Sequence, residues 1–304
     1  MRGLASTRIR RRKGTRRWIG LARGVNFIDT AELYPIPPKA ETQGRTETII
    51  GNWMKARGNR DRVLLATKVV GRTASDGFAA GRPSKLVRAD IFDAIDKSLA
   101  KLGTDYVDLY QIHWPERDVP WGANPTRVGG TPPRADSTSG DETPIVETLA
   151  VFDEMVKAGK IRHFGLSNES SWGLMRFITE SEKGIGPRAV SLQNAYNLVN
   201  RTFEVISPKP VPARTSVQRG QRYETPNAAE VLLEYSELAR SFGMEPALFA
   251  GAYVASRPFV ASSIIGATSL PQLEIALAAA AVVWTEDMQK AVDAVHQRVG
   301  NPCP

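Results

Sequence analysis

From Gly24 to Asn194 the chain alternates short apolar runs with stretches of helical spacing. Val25-Asn26-Phe27-Ile28 predicts a buried strand ending at Asp29, and Thr46 to Arg57 a helix stopped by Gly58. Val63 to Thr67 predicts a second strand ending at Lys68. From Leu86 to Leu102 a helix carries Ile91, Ile95, Leu99 and Leu102 on one face, with Gly103 closing it. Tyr106 to Ile112 predicts a third strand ending at His113. A loop rich in Pro, Gly, Ser and Asp then runs from Trp114 to Glu142. Thr143-Pro144 opens a helix through Lys157, with Pro at the favoured first turn. Ile161 to Leu166 is a fourth strand ending at Ser167-Asn168, Ser170 to Glu182 a helix, and Ala189 to Leu192 a fifth strand ending at Gln193-Asn194.

Two stretches break this rhythm. Residues 1–20 hold no strand pattern, and 201–224 contain three prolines and no helical face. Beyond them Thr225-Pro226 starts a helix to about Phe242, and Pro246 to Ser256 forms another. Ala261 to Ile265 predicts a sixth strand, and Leu270 to Ala280 and Glu286 to Val299 are closing helices. Strands alternating with helices imply βαβ units and a parallel sheet covered on both faces. The expected fold is therefore a TIM-type (β/α)8 barrel, incomplete, with six recognisable strands. Residues 1–20 are expected to form a disordered arm, and 21–304 one barrel domain with an irregular stretch at 201–224.

Charge changes the picture only at the N-terminus. The net charge of +8 comes from 40 Lys+Arg against 32 Asp+Glu, and the first twenty residues hold eight of the basic residues and no acid. The remainder is therefore balanced, 32 against 32, which removes the case for nucleic acid as the partner of the body. No apolar run is long enough to span a bilayer. One cysteine, Cys303, allows no internal disulfide, and three histidines with one cysteine disfavour a dedicated zinc site. The expected location is the cytoplasm.

Chemistry enters at the strand ends. Asp29, Lys68, His113, Asn168 and Gln193 each stand at or just past the C-terminal end of a predicted strand. In a (β/α)8 barrel that rim carries the active site. Tyr34 follows Asp29 by five residues. An Asp that holds a Lys charged, beside a Tyr, suggests a Lys⁺ that stabilises tyrosinate and lowers the Tyr pKa from about 10. His113 would orient a substrate oxygen. Taken singly, each residue also has a structural explanation, as a turn-capping Asp, a solvated Lys, a loop His or helix-capping amides. Jointly they need five coincidences on one rim.

The strings GVNFIDTAELY, LLATKVVG, DYVDLYQIHWP, GKIRHFGLSNES and SLQNAYNLVNR resemble the aldo-keto reductases, in the Tas-like and potassium-channel β-subunit-like branch. The resemblance runs from about Leu21 to Thr202 and again from about Tyr223 to the C-terminus. It implies a catalytic tetrad of Asp29, Tyr34, Lys68 and His113, with Tyr34 the general acid in carbonyl reduction. It implies that Ser167, Asn168 and Gln193 contact the nicotinamide carboxamide, and that the Ile265–Ser269 segment, with Gly266, Thr268 and Gln272, holds the adenosine end of NADPH. The substrate would be a small-molecule aldehyde or ketone, with neither nucleic acid nor membrane as partner.

The chain departs from that family at its first strand, at the seventh strand with its Tyr–Ser–Pro-like turn, and at Ala276, where the family has Asn. These departures carry a second reading, an impaired or inactive homologue, at most a nucleotide-sensing subunit. In that reading, 1–20 and 201–224 are out-of-frame translation. A third reading, nucleic-acid binding by the arm alone, predicts a steep salt dependence that vanishes without residues 1–20.

Overall fold

The computed structural model describes residues 21, 23–36, 38–73, 84–117, 140–202 and 227–303. Residues 1–20 and 203–224, on which the two irregular stretches were expected, lie outside the described residues, as does most of the 114–142 loop. Contacts gather the described residues into two compact units, one from 26 to 194 and the other from 195 to 303 with residues before 26.

The first unit is built from successive β-then-α steps: β1 (Phe27–Asp29), α1 (Arg45–Arg57), β2 (Leu64–Val69), α2 (Arg88–Leu102), β3 (Val107–Ile112), α3 (Ile145–Lys157), β4 (Ile161–Ser167), α4 (Ser171–Glu182) and β5 (Ala189–Gln193). The strands lie in chain order β1-β2-β3-β4-β5, and every pair is parallel. Each strand thus sits beside the next, which is the arrangement a TIM-type barrel builds from right-handed crossovers. Register sets the two faces. Ala66 pairs with Leu109, Thr67 with Tyr110 and Lys68 with Gln111. Side chains alternate along a strand, so Lys68 and Gln111 share one face and Thr67 and Tyr110 the other.

The second of those faces carries the core. Tyr110, Phe152 on α3, Phe164 on β4 and Phe177 on α4 form a chain of ring contacts, with centroid separations of 5.7, 4.4 and 5.6 Å. Ile91, Ile95, Leu99 and Leu102 on α2 are all buried, as the sequence spacing predicts. Each such side chain contributes about 1.5–3 kcal/mol by leaving water. Helix α2 ends where expected, at Gly103 in the left-handed region with φ of 64°. It starts at Arg88 rather than Leu86, because Val87 is extended (φ −85°, ψ 157°) and serves as the N-cap. Helix α1 packs closely on the end of α2: a Cβ at Gly51 would lie 2.5 Å from the Lys101 carbonyl oxygen, so only glycine fits.

The second unit holds four helices among its described residues: α5 (Ala228–Ser241), α6 (Pro246–Ser256), α7 (Leu270–Ala279) and α8 (Glu286–Val299). Its core joins Val231, Tyr235, Phe249, Tyr253, Val292 and Val295. The chain end closes on it through the Cys303 N–H donating to the Val199 carbonyl at 3.0 Å. The strand expected at Ala261–Ile265 does not form; these residues run without a ladder partner. A strand exists by pairing, and the described residues of this unit offer no neighbouring strand, so β-branched content alone leaves the segment irregular.

Candidate active site

Five strand ends converge in the first unit, and a buried ion pair lies at their centre. Asp29, the last residue of β1, is 2% exposed, and Lys68, near the end of β2, is 1% exposed. Lys68 Nζ donates to Asp29 Oδ2 at 2.5 Å and to the Thr30 carbonyl at 2.8 Å. Burial lowers the Lys68 pKa, and Asp29 opposes that shift. A pair so deep in the fold is held by its hydrogen bonds as much as by its charge, because two desolvated ions repay their dehydration only when every polar atom is partnered.

Two amides complete the carboxylate's shell. Gln111 Nε2 on β3 donates to Asp29 Oδ1 at 3.1 Å, and Gln193 Nε2 at the end of β5 donates to Oδ2 at 3.3 Å. Gln111 is buried and stands level with Lys68 in the sheet. The strand-end criterion passes over it because it lies inside an apolar run. The signal that finds it is parity: it is the polar residue on the Lys68 face of β3.

Tyr34 and His113 stand beside the ion pair. Their rings meet edge to face at 5.6 Å and 82°. The Lys68 ammonium lies 5.4 Å from the centroid of the Tyr34 ring, a cation–π approach rather than a hydrogen bond to the hydroxyl. The expectation that Lys68 lowers the Tyr34 pKa is therefore corrected. The phenol is pushed up to about 12, first by burial and then by the Asp29 charge. Lys68 points its donors at Asp29 and Thr30, so the carboxylate absorbs its field. His113 goes the other way: burial, then the Lys68 charge, lowers it to about 3, and the imidazole is neutral. Its Nδ1 is buried without a hydrogen-bond partner among the described residues. Trp114 packs on the His113 ring at 4.9 Å, and its indole N–H donates to the Arg72 carbonyl at 3.0 Å, tying the end of β3 to the turn after β2.

Ser167, Asn168 and Gln193 also come together. Ser167 Oγ donates to the Gln193 carbonyl at 2.9 Å, and Asn168 Nδ2 donates to the His113 carbonyl at 2.8 Å. Asn168 holds a left-handed backbone with φ of 51°, which Asn tolerates better than most residues. A buried strut braces this corner: Arg117 Nη2 meets Glu169 Oε1 at 2.5 Å, the next residue after Asn168. Gln193 Oε1 is buried without a partner among the described residues. An orphaned amide oxygen among Ser and Asn side chains suits a ligand carrying an N–H donor, as a carboxamide does.

Gly266, Thr268 and Gln272 lie in the second unit. Thr268 and Gln272 meet in the cap of α7: Gln272 Oε1 accepts the Thr268 N–H and hydroxyl, each at 2.9 Å, and the Ser269 N–H at 3.2 Å. With the Ser269 side chain accepting the Gln272 N–H, this is a capping box. Gly266 belongs to the irregular segment that leads into it. Among the described residues no cluster of His, Cys, Asp and Glu could hold a metal ion.

Comparison with known proteins gives the family from a profile match and from relatives, and the fold from a solved structure. A profile of the aldo/keto reductase family matches residues 20–297. The protein named Protein tas of Escherichia coli strain K12 is 35% identical, covering 93% of this chain and 89% of that protein. An aldo-keto reductase of Babesia bovis is 28% identical, covering 79% of this chain and 98% of its own. The crystal structure of an aldo-keto reductase from Klebsiella pneumoniae in complex with NADPH shares the fold, with a TM-score of 0.61 at 23% identity, covering 93% of this chain and 82% of that one.

Proposed function

The chain belongs to the aldo/keto reductase family, and on that premise we propose that it is an NADPH-dependent oxidoreductase that reduces aldehyde or ketone carbonyls to alcohols. The observation that carries the proposal is the buried Lys68–Asp29 pair with Tyr34 and His113 against it. In this reading Tyr34 is the general acid, His113 orients the carbonyl, and Lys68 and Asp29 set the field around the phenol. Ser167, Asn168 and Gln193 would hold the nicotinamide end of NADPH, which the orphaned Gln193 Oε1 favours. Gly266, Thr268 and Gln272 would lie at its adenosine end, with the Thr268 and Gln272 side chains also serving the α7 cap. When bound, NADPH supplies the hydride.

The protein's own part is to manage one proton and one oxygen. A phenol raised to about 12 keeps its proton through the physiological range, so Tyr34 enters the reaction holding the proton, as a weaker acid than a free phenol. As the carbonyl oxygen gains negative charge it becomes a strong base, and the proton moves from the Tyr34 hydroxyl to that oxygen. The tyrosinate left behind lies against the Lys68 ammonium. A neutral His113 can donate an N–H to the same oxygen without giving up a net charge.

The substrate in this reading is a small carbonyl compound and the setting is the cytoplasm. Among the described residues no helix is long and apolar enough to cross a membrane. The test is NADPH oxidation by the purified protein with a panel of reactive aldehydes and ketones, read at the nicotinamide absorbance. Carbonyl-dependent oxidation is expected. Nucleotide quenching of tryptophan fluorescence with no turnover on any carbonyl would reduce the chain to a nucleotide-binding homologue and overturn the proposal.

A further inference from the structure

We propose that Glu32 is the positioning residue that fixes Tyr34 against Lys68, its carboxylate taking the place in the sheet ladder that the backbone gives up where the chain turns away from β1; the proposal rests on the reductase reading above. The parallel ladder between β1 and β2 continues past Asp29. The Thr30 N–H donates to the Ala66 carbonyl at 2.9 Å, and the Glu32 N–H to the Lys68 carbonyl at 3.3 Å. In a parallel ladder the next rung runs from the Val70 N–H to the Glu32 carbonyl. Here the Val70 N–H donates instead to the Glu32 side chain, Oε1, at 2.7 Å.

The exchange of a carbonyl for a carboxylate frees the backbone to turn. Immediately afterwards the Tyr34 N–H closes a turn onto the Ala31 carbonyl at 3.0 Å, and the Tyr34 ring is delivered to Lys68 and His113. Glu32 and Val70 are both buried, so neither partner has water as a substitute. Leu33 packs on Val70 and Trp114 from the other side of the same turn. The segment 30–34 is therefore pinned at both ends of one rung, with Tyr34 two residues beyond the last pin. Among the described residues both hydrogen bonds of Glu32, through its backbone N–H and one carboxylate oxygen, end on β2 or its extension. No atom of Glu32 is required to touch substrate for this role; it acts through Tyr34.

The experiment uses the full chain with Glu32→Leu, Glu32→Asp and Glu32→Gln, read by amide hydrogen exchange over 30–34 and 70 and by steady-state kinetics with NADPH and a reactive aldehyde. Glu32→Leu removes the acceptor and Glu32→Asp is one methylene too short. Both are expected to accelerate exchange across 30–34 at least tenfold and to lower kcat by 10-fold or more, with KM for NADPH unchanged. Glu32→Gln keeps an oxygen for the Val70 N–H and is expected to recover most of kcat. In a Tyr34→Phe background, Glu32→Asp is expected to add no further loss. A kcat that stays at the wild-type value in Glu32→Asp, or a loss that Glu32→Gln does not relieve, overturns the proposal. Should the wild-type protein be inert toward every carbonyl, the reductase reading falls, and exchange alone judges the tether: unchanged rates over 30–34 would overturn it too.

Discussion

Lys68 and Asp29 form an ion pair at 2.5 Å in which neither side chain sees solvent. Removing one partner of such a pair leaves a buried charge without its counterpart, which costs about 3–5 kcal/mol. Lys68→Met is therefore expected to destabilise the first unit by about that amount, read as a fall in the urea midpoint. Asp29→Asn in the Lys68→Met background should cost much less than it does alone, because the charge it removes is already unpaired. Additive losses in that double-mutant cycle would mean that the two groups do not interact as drawn.

The Tyr34 prediction separates chemistry from binding. Tyr34→Phe keeps the ring that meets His113 and lies over Lys68, and deletes only the hydroxyl. Turnover is expected to fall by about 10²–10⁴-fold, the range for a lost general acid. The NADPH dissociation constant from fluorescence quenching should stay within about twofold. A variant that keeps its turnover would show that another group delivers the proton.

His113 and Glu32 give opposite signs of pH dependence. The His113 pKa is depressed from 6.5 to about 3, chiefly by burial, so the unfolded chain binds the extra proton and stability is lost as pH falls through that window. The Glu32 carboxyl is raised from 4.5 to about 7, again chiefly by burial, opposed by its Val70 hydrogen bond. Glu47 on α1 and Asp93 on α2 add to that rise, Lys101 on α2 opposes it, and Tyr110 on β3 faces the same group. Its folded state binds the extra proton, so its contribution is present at low pH and lost as pH rises through 4.5 to 7. Between pH 4.5 and 6.5 the two slopes, each at most about 1.4 kcal/mol per pH unit, oppose one another. Relative to wild type, His113→Gln should lose stability with rising pH there, and Glu32→Gln should gain it. Urea midpoints at three pH values decide this; slopes of the same sign in the two variants would rule out the assignment.

What the sequence reveals of this site follows from what each residue has for neighbours. Asp29, Lys68, His113, Asn168 and Gln193 stand out because a lone polar side chain ends each apolar run, and a strand end has one meaning in a parallel βα repeat. Gln111 is hidden inside such a run, and only the one-residue alternation of the sheet turns it toward Asp29. Glu32 is hidden differently. Nothing in Asp-Thr-Ala-Glu-Leu-Tyr says which carboxylate folds back onto β2. The direction of the Tyr34 pKa shift also needs three dimensions, since it depends on where the three protons of Lys68 point. Ala261–Ile265 shows the converse error, in which local preference for a strand is legible and its partner is not.

Gln111 supplies the last prediction, because it tests whether the Asp29 carboxylate must be held at both oxygens. Lys68 and Gln193 both reach Oδ2, and among the described residues Gln111 reaches Oδ1. Gln111→Leu fills a similar volume but removes that donor, leaving one carboxylate oxygen buried without a hydrogen bond. A hydrogen bond to a charged group contributes about 1.5–3 kcal/mol, and the loss in unfolding free energy should fall in that range. The carboxylate is then expected to turn about its own bond and to draw Lys68 away from the Tyr34 ring. That shift is expected to lower kcat about tenfold while the NADPH dissociation constant holds. Gln111→Glu distinguishes the hydrogen bond from the charge. A second carboxylate facing Asp29 repels it at neutral pH, but the protonated acid can donate to Oδ1 as the amide does. Its kcat should therefore recover toward the wild-type value as pH falls from 8 to 6, whereas that of Gln111→Leu should not. Identical pH profiles for the two variants would show that Gln111 only fills space.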